Sequence, residues 1–184
     1  MNKTIGILAH VDAGKTTFAE QLLFHTGSIR QRGRVDHKNA FLDSHEIERQ
    51  RGITIFSDQA VFSYKGSTYY LIDTPGHVDF SPEMERALQI MDYGIVIING
   101  LEGVEGHTET VWQFLQRHKV PVFFLINKID REEVDIPGVL ADIRSNLTED
   151  IWDITESFRD GKLEEPLMEF LAERDEGLME AYLE

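Results

Sequence analysis

Residues 9–16 read Ala9-His10-Val11-Asp12-Ala13-Gly14-Lys15-Thr16 and stand between an apolar run, Thr4–Ala9, and a helical stretch, Lys15–Thr26. A bound phosphate needs inward-turned backbone N–H groups, the positive end of a helix dipole, a lysine and a hydroxyl able to take Mg²⁺. Gly14-Lys15-Thr16 offers these in the order of a P-loop, with Thr17 following. One position departs from the usual pattern: Ala9 stands where the first glycine is expected, so the turn has to admit a Cβ there. A strand entering such a loop and a helix leaving it make the first unit of a doubly wound α/β sheet.

Three further runs, Tyr69–Ile72, Gly94–Asn99 and Val120–Asn127, are nearly all apolar and do not alternate. That composition suits strands buried on both faces of a parallel sheet. A shorter run, Ala60–Tyr64, is joined to Tyr69 through Lys65-Gly66-Ser67, which predicts a hairpin and an antiparallel edge strand. Helices are expected over Pro82–Asp92, with Ser81 as cap, over Thr108–Lys119 and over Gly138–Leu147. The fold class is therefore α/β: a P-loop domain with a mostly parallel sheet, one antiparallel edge strand and helices on both faces. Gly27–Gly52 is long, polar and rich in Arg and His, as functional or mobile loops are. We expect a core over 1–147 and an acidic helical segment over 148–184. In that segment a helix from about Pro166 would carry Leu167, Leu171, Leu178 and Tyr182 near one face.

The chain of 184 residues is 41% hydrophobic and carries eleven Phe, which excludes an acidic disordered tail. Its 18 basic against 33 acidic residues give −15, and residues 148–184 hold 13 of the acids with three bases. Such a balance argues against non-specific attraction to DNA or a membrane surface. No Cys is present, which rules out disulfides and thiolate metal sites. His25, His37, His45, His107 and His118 have no ligand spacing, so they are read as surface or core positions, and His10 as a backbone contributor to the loop. The longest apolar run, Val120–Ile126, is far too short for a membrane span, and the N-terminus lacks an export signal. A cytoplasmic monomer with no membrane or DNA partner is expected.

Two more motifs close apolar runs, at the strand ends where ligands bind in such sheets. Asp73-Thr74-Pro75-Gly76 places a carboxylate that can hold Mg²⁺ through water, and a glycine whose N–H can approach a γ-phosphate. Alone it is also a good turn sequence. Asn127-Lys128-Ile129-Asp130 supplies a carboxylate able to accept both N–H donors of guanine's Watson–Crick edge. Asn127 can bond the acceptor side of the base, and the Lys128 stem can cover the ring. Third in order after the P-loop and Asp-x-x-Gly, this motif specifies guanine.

AHVDAGKTT (9–17), RGITI (51–55), DTPGHVDF (73–80) and NKID (127–130) resemble the G domain of translational GTPases. With ERQRGITI (48–55) the chain is most similar to elongation factor G-like proteins, particularly ribosomal-protection tetracycline resistance proteins. The resemblance implies a GTPase that binds GTP or GDP with Mg²⁺. It places Asp12, Ala13, Gly14, Lys15, Thr16, Thr17, Thr54, Asp73, Gly76, Asn127, Lys128 and Asp130 at the nucleotide. Thr16, Thr54 and Asp73 would serve the metal, Thr54 would close as the switch I threonine in the GTP state, and His77 would orient the attacking water. It also implies a ribosome partner whose RNA activates His77. The family ends its G domain with a Ser-Ala motif, and no Ser-Ala pair occurs here. The chain is accordingly read as an N-terminal piece truncated before the last strand and helix, with 148–184 the start of an insertion. Ordinary elongation shares every motif quoted. A guanine-nucleotide switch without useful hydrolysis and an ATP-using P-loop kinase are the readings of other classes; Asn127–Asp130 speaks against the kinase.

Overall fold

Apolar strands place β1 (Asn2–Ala9) at the centre of a five-stranded sheet in a computed structural model that describes residues 2–29, 58–74, 82–160, 163–174, 179–180 and 182. The strand order is β2 (Asp58–Tyr64), β3 (Ser67–Asp73), β1, β4 (Tyr93–Asn99), β5 (Val122–Asn127). β1 pairs parallel to β3 and to β4, and β4 parallel to β5, while β2 pairs antiparallel to β3. The expected hairpin is thus present, turning at Lys65 and Gly66, both with positive φ.

Alternation along each strand divides the sheet into two covered faces. Ile7, Ala9, Leu71 and Ile97 point to the side where Ala19 and Leu23 of α1 (Lys15–His25) complete one apolar cluster with Ala60 and Phe62 of the hairpin. On the other side Trp112 of α3 (Gly106–Arg117) meets Phe124 and Leu115 lies over Gly94. The Trp112 ring lies 5.3 Å from that of Phe124, and a Cβ on Gly94 would touch Leu115 at 3.1 Å. α2 (Pro82–Gln89) precedes β4. After it, Asp92 is fastened to the start of β1: its carboxylate accepts the Thr4 N–H at 2.7 Å and its own N–H donates to the Thr4 carbonyl. β5 is an outer strand of the described sheet, and Phe123 on it is 47% exposed. α4 (Ile136–Asn146) follows, with Pro137 in its first turn.

Several boundaries differ from expectation. α2 stops at Gln89 instead of Asp92, because the next N–H groups bond back three residues (Ile90 to Ala87, Met91 to Leu88) and tighten the last turn. α3 begins two residues early, at Gly106. β5 starts only at Val122, since Pro121 has no N–H to give to the ladder. Ser81, Leu178 and most of Gly27–Gly52 lie outside the described residues.

The chain divides into two compact units, Met1–Leu147 and Thr148–Glu184. In the second, α5 (Thr155–Asp160) precedes α6 (Glu165–Ala172); the sequence reading had no helix at the former. Leu167 and Ala172 are the covered positions of α6, whereas Leu171 is 37% exposed, so the expected Leu167–Leu171 stripe is not one buried face. Arg174 ties the unit together: its guanidinium stacks 3.7 Å from the Phe170 ring centroid and grips Asp150 with Nε and Nη2, the former at 2.8 Å. The Trp152 ring also packs on Phe170, at 5.5 Å.

Candidate nucleotide-binding site

The loop between β1 and α1 is shaped by two left-handed residues, Asp12 at φ 63° and Gly14 at φ 99°. The Ala13 N–H donates to the His10 carbonyl at 3.2 Å, and the Phe18 N–H to the Gly14 carbonyl at 2.9 Å, which opens α1. Gly14 is the N-cap of that helix and gives no side-chain cap, and the first turn holds no acidic residue. The helix therefore presents uncapped N–H groups and its positive dipole end, the arrangement an anion takes.

Lys15 and Asp73 meet in the covered region below this loop. Lys15 Nζ lies 2.5 Å from Asp73 Oδ1; the lysine is 7% exposed and the aspartate 0%. Register explains the meeting: Asp73 is opposite Ile7 and shares its face, the face α1 covers. The next residue, Thr74, donates its hydroxyl to the Ile7 carbonyl at 2.8 Å, which locks the end of β3 to β1. A buried ion pair of this kind is costly to break from one side only, by about 3–5 kcal/mol.

The third motif reaches the same loop. Asn127 donates its side-chain amide to the Ala13 carbonyl at 2.8 Å. A Cβ on Gly14 would stand 2.2 Å from that amide nitrogen, so the glycine is required both by its φ and by the asparagine beside it. Asn127 was expected to bond the base; in this structure its amide gives one N–H to the loop backbone. Lys128 adopts φ 60°, which turns the chain sharply at the strand end, and Asp130 is exposed beyond it. Thr16 is half-buried, and Asp12 and Thr17 are exposed. Thr54, Gly76 and His77 lie outside the described residues.

Glu105 escaped the sequence reading, and His10 was read only as a backbone contributor. His10 contributes more than its backbone, since its Nδ1 sits 2.8 Å from Glu105 Oε2, and the buried His107 ring lies 5.9 Å from its own. No local spacing pairs residues so distant in the chain; only the strand order, with β4 beside β1, brings them together. Among the described residues no cluster of three or more His, Asp or Glu could hold a metal. A Mg²⁺ that keeps phosphate oxygens and waters needs only one or two protein ligands, and Thr16 with Asp73 are hard oxygen donors of that kind.

The mitochondrial ribosome-releasing factor 2 of Drosophila ananassae is 43% identical over 145 residues, 79% of this chain and 20% of that protein. Elongation factor G 2 of Streptomyces coelicolor is also 43% identical over 145 residues, with 79% and 21% covered. Tetracycline resistance protein TetP of Clostridium perfringens is 36% identical over 192 aligned residues, 97% of this chain and 29% of TetP. The chain thus spans a fifth to under a third of these relatives. A crystal structure of a protein from Thermus thermophilus superposes with a TM-score of 0.78 at 25% identity, covering 98% of this chain and 33% of that one. The elongation factor Tu GTP binding domain family matches residues 2–180, and the chain belongs to that family.

Proposed function

We propose that this chain is the GTP-binding and GTP-hydrolysing part of a ribosome-associated translation factor, of the ribosomal-protection tetracycline resistance type. The observation that carries the nucleotide assignment is the convergence of Gly14, Lys15, Asp73 and Asn127 on one loop. Lys15 would exchange its carboxylate partner for the phosphates, while the N–H groups opening α1 hold their oxygens. Thr16, Asp73 and, from its motif, Thr54 would hold Mg²⁺, which supplies charge neutralisation at the phosphates when bound. Asp130 would accept the two guanine N–H donors, and Lys128 would cover the ring. Gly76 and His77 follow Asp73 in the same motif, and His77 is assigned the orientation of the attacking water. Hydrolysis of this kind is chiefly positioning and electrostatics, which suits activation by a large partner such as the ribosome.

The resistance reading is supported by the reach of the TetP alignment, 97% of this chain against 79% for the other two relatives. Higher identity, 43% against 36%, favours the second reading, an elongation or ribosome-release factor. Calorimetric titration with GDP and with ADP in Mg²⁺ tests the first step. GDP binding without an ADP signal is expected, and preference for ADP would overturn the guanine assignment. Translation by ribosomes in the presence of tetracycline, with and without the whole factor, separates the two readings.

A further inference from the structure

We propose that Thr74 is a positioning residue: its buried hydroxyl holds the Asp73 carboxylate in place and so sets how well a triphosphate is bound relative to a diphosphate. The inference deepens the nucleotide reading above and rests on it. Asp73 is the last residue of β3, paired with Ile7 on one side and Asp58 on the other. Strand ends open easily unless something fastens them. Here the Thr74 hydroxyl donates to the Ile7 carbonyl at 2.8 Å, and the Thr74 N–H donates to the same oxygen at 3.3 Å. The hydroxyl bond is the shorter and carries most of the hold. Thr74 is 0% exposed, so it acts through its neighbours and not on the nucleotide itself.

What the hydroxyl positions is the partner of Lys15. Asp73 Oδ1 lies 2.5 Å from Lys15 Nζ, and the short aspartate side chain follows its backbone closely. Binding groups have to be held to within about 0.5 Å, which is the task of the residues behind them. Gly14 and the N–H groups opening α1 take their shape from the loop's own left-handed residues, not from Thr74. They serve a diphosphate and a triphosphate alike. Asp73 is assigned to the metal that bridges the two outer phosphates of a triphosphate. Loss of the hydroxyl therefore falls on the triphosphate.

Binding of GDP and of guanylyl imidodiphosphate, a GTP analogue that resists hydrolysis, measured on this chain in Mg²⁺, tests the role. Thr74→Val keeps the shape and removes the donor. It should weaken the analogue by about 5-fold, the worth of one hydrogen bond, and leave GDP within about 2-fold. Thr74→Ser, which keeps the hydroxyl, should restore the analogue. The Ile7 carbonyl still has the Thr74 N–H in Thr74→Val, so the melting midpoint should fall by only about 2–4 °C. In an Asp73→Asn background Thr74→Val should weaken the analogue no further, since the hydroxyl acts through that carboxylate. Equal weakening of both nucleotides, or a lowered melting midpoint with neither nucleotide affected, would overturn the role. So would an undiminished loss on top of Asp73→Asn, or failure of Thr74→Ser to restore the analogue. Should Thr74→Val not fold, Thr74→Cys, of similar size and a weaker donor, carries the same comparison. Failure of the unsubstituted chain to hold either nucleotide would remove the phosphate-site reading, and this role with it. GDP held normally and lost in Lys15→Ala, with both nucleotides indifferent to Thr74→Val, would remove the role alone.

Discussion

Replacement of Gly14 by alanine isolates the feature that gives the phosphate loop its shape. At φ 99° the backbone is left-handed, and an L-residue there carries strain of about 1–2 kcal/mol. The new methyl would also sit 2.2 Å from the Asn127 amide nitrogen. That nitrogen is the end of a side chain and can swing away, but only by leaving the Ala13 carbonyl, at a loss of about 1 kcal/mol. The two effects together amount to about 2–3 kcal/mol. For a chain of this size such a loss lowers the melting midpoint by about 5–10 °C. The decisive assay is a double-mutant cycle by chemical denaturation with Gly14→Ala, Asn127→Ala and the pair. Once Asn127 is already truncated, the methyl has no amide to displace, so the increment of Gly14→Ala should shrink to the backbone strain alone. Equal increments in both backgrounds would refute the contact between Gly14 and Asn127 as the origin of the constraint. No destabilisation at all would refute the left-handed loop.

Lys15→Ala should weaken GDP binding by ~100-fold or more, since it removes a buried charge from the phosphate cradle; near-normal affinity by calorimetry would sink the assignment. His77→Ala, made in the whole factor, should spare GDP binding yet depress ribosome-stimulated hydrolysis by ~100-fold, as loss of a positioning group does; undiminished phosphate release would take His77 out of the mechanism. The Arg174 guanidinium bonded to Asp150 holds its carboxyl below the ordinary 3.8. A lowered value in the folded state stabilises the second unit above the ordinary value and is lost as pH falls through the lowered one. Carboxyl NMR should therefore find the Asp150 midpoint under 3.8, returning to it in Arg174→Met; a midpoint indifferent to Arg174 would deny the pair in solution.

The parallel strands were legible because buried-on-both-faces sheets leave continuous apolar runs, and β1, β3, β4 and β5 each left one. Their ends were less so, for ends depend on single hydrogen bonds such as that between Asp92 and Thr4. Lys15 and Asp73 could be named from their motifs, since each is a residue type that phosphate chemistry requires at a fixed place after a strand. What Asn127 does with its amide could not, because the Ala13 carbonyl that receives it is known only once β5 and the loop are in register. The same holds for His10 and Glu105: a partly exposed pair leaves no compositional trace, and strand order alone decides it. In the second unit α5 went unread because six residues, Thr155–Asp160, are too few to show a helical period.

The outer position of β5 has a consequence for handling the protein. Val122–Asn127 reads VFFLIN, six residues without a charge, a proline or a glycine, and aromatic or aliphatic in all but the last. Segments of that composition with an open row of backbone donors and acceptors are templates for strand addition by another chain. Pro121 stands at its entrance and Lys128 at its exit, the residue types that act as gatekeepers against such growth. Wherever that strand stands uncovered between those two guards, the expected sign is light scattering that climbs steeply with protein content and falls when the strand is covered.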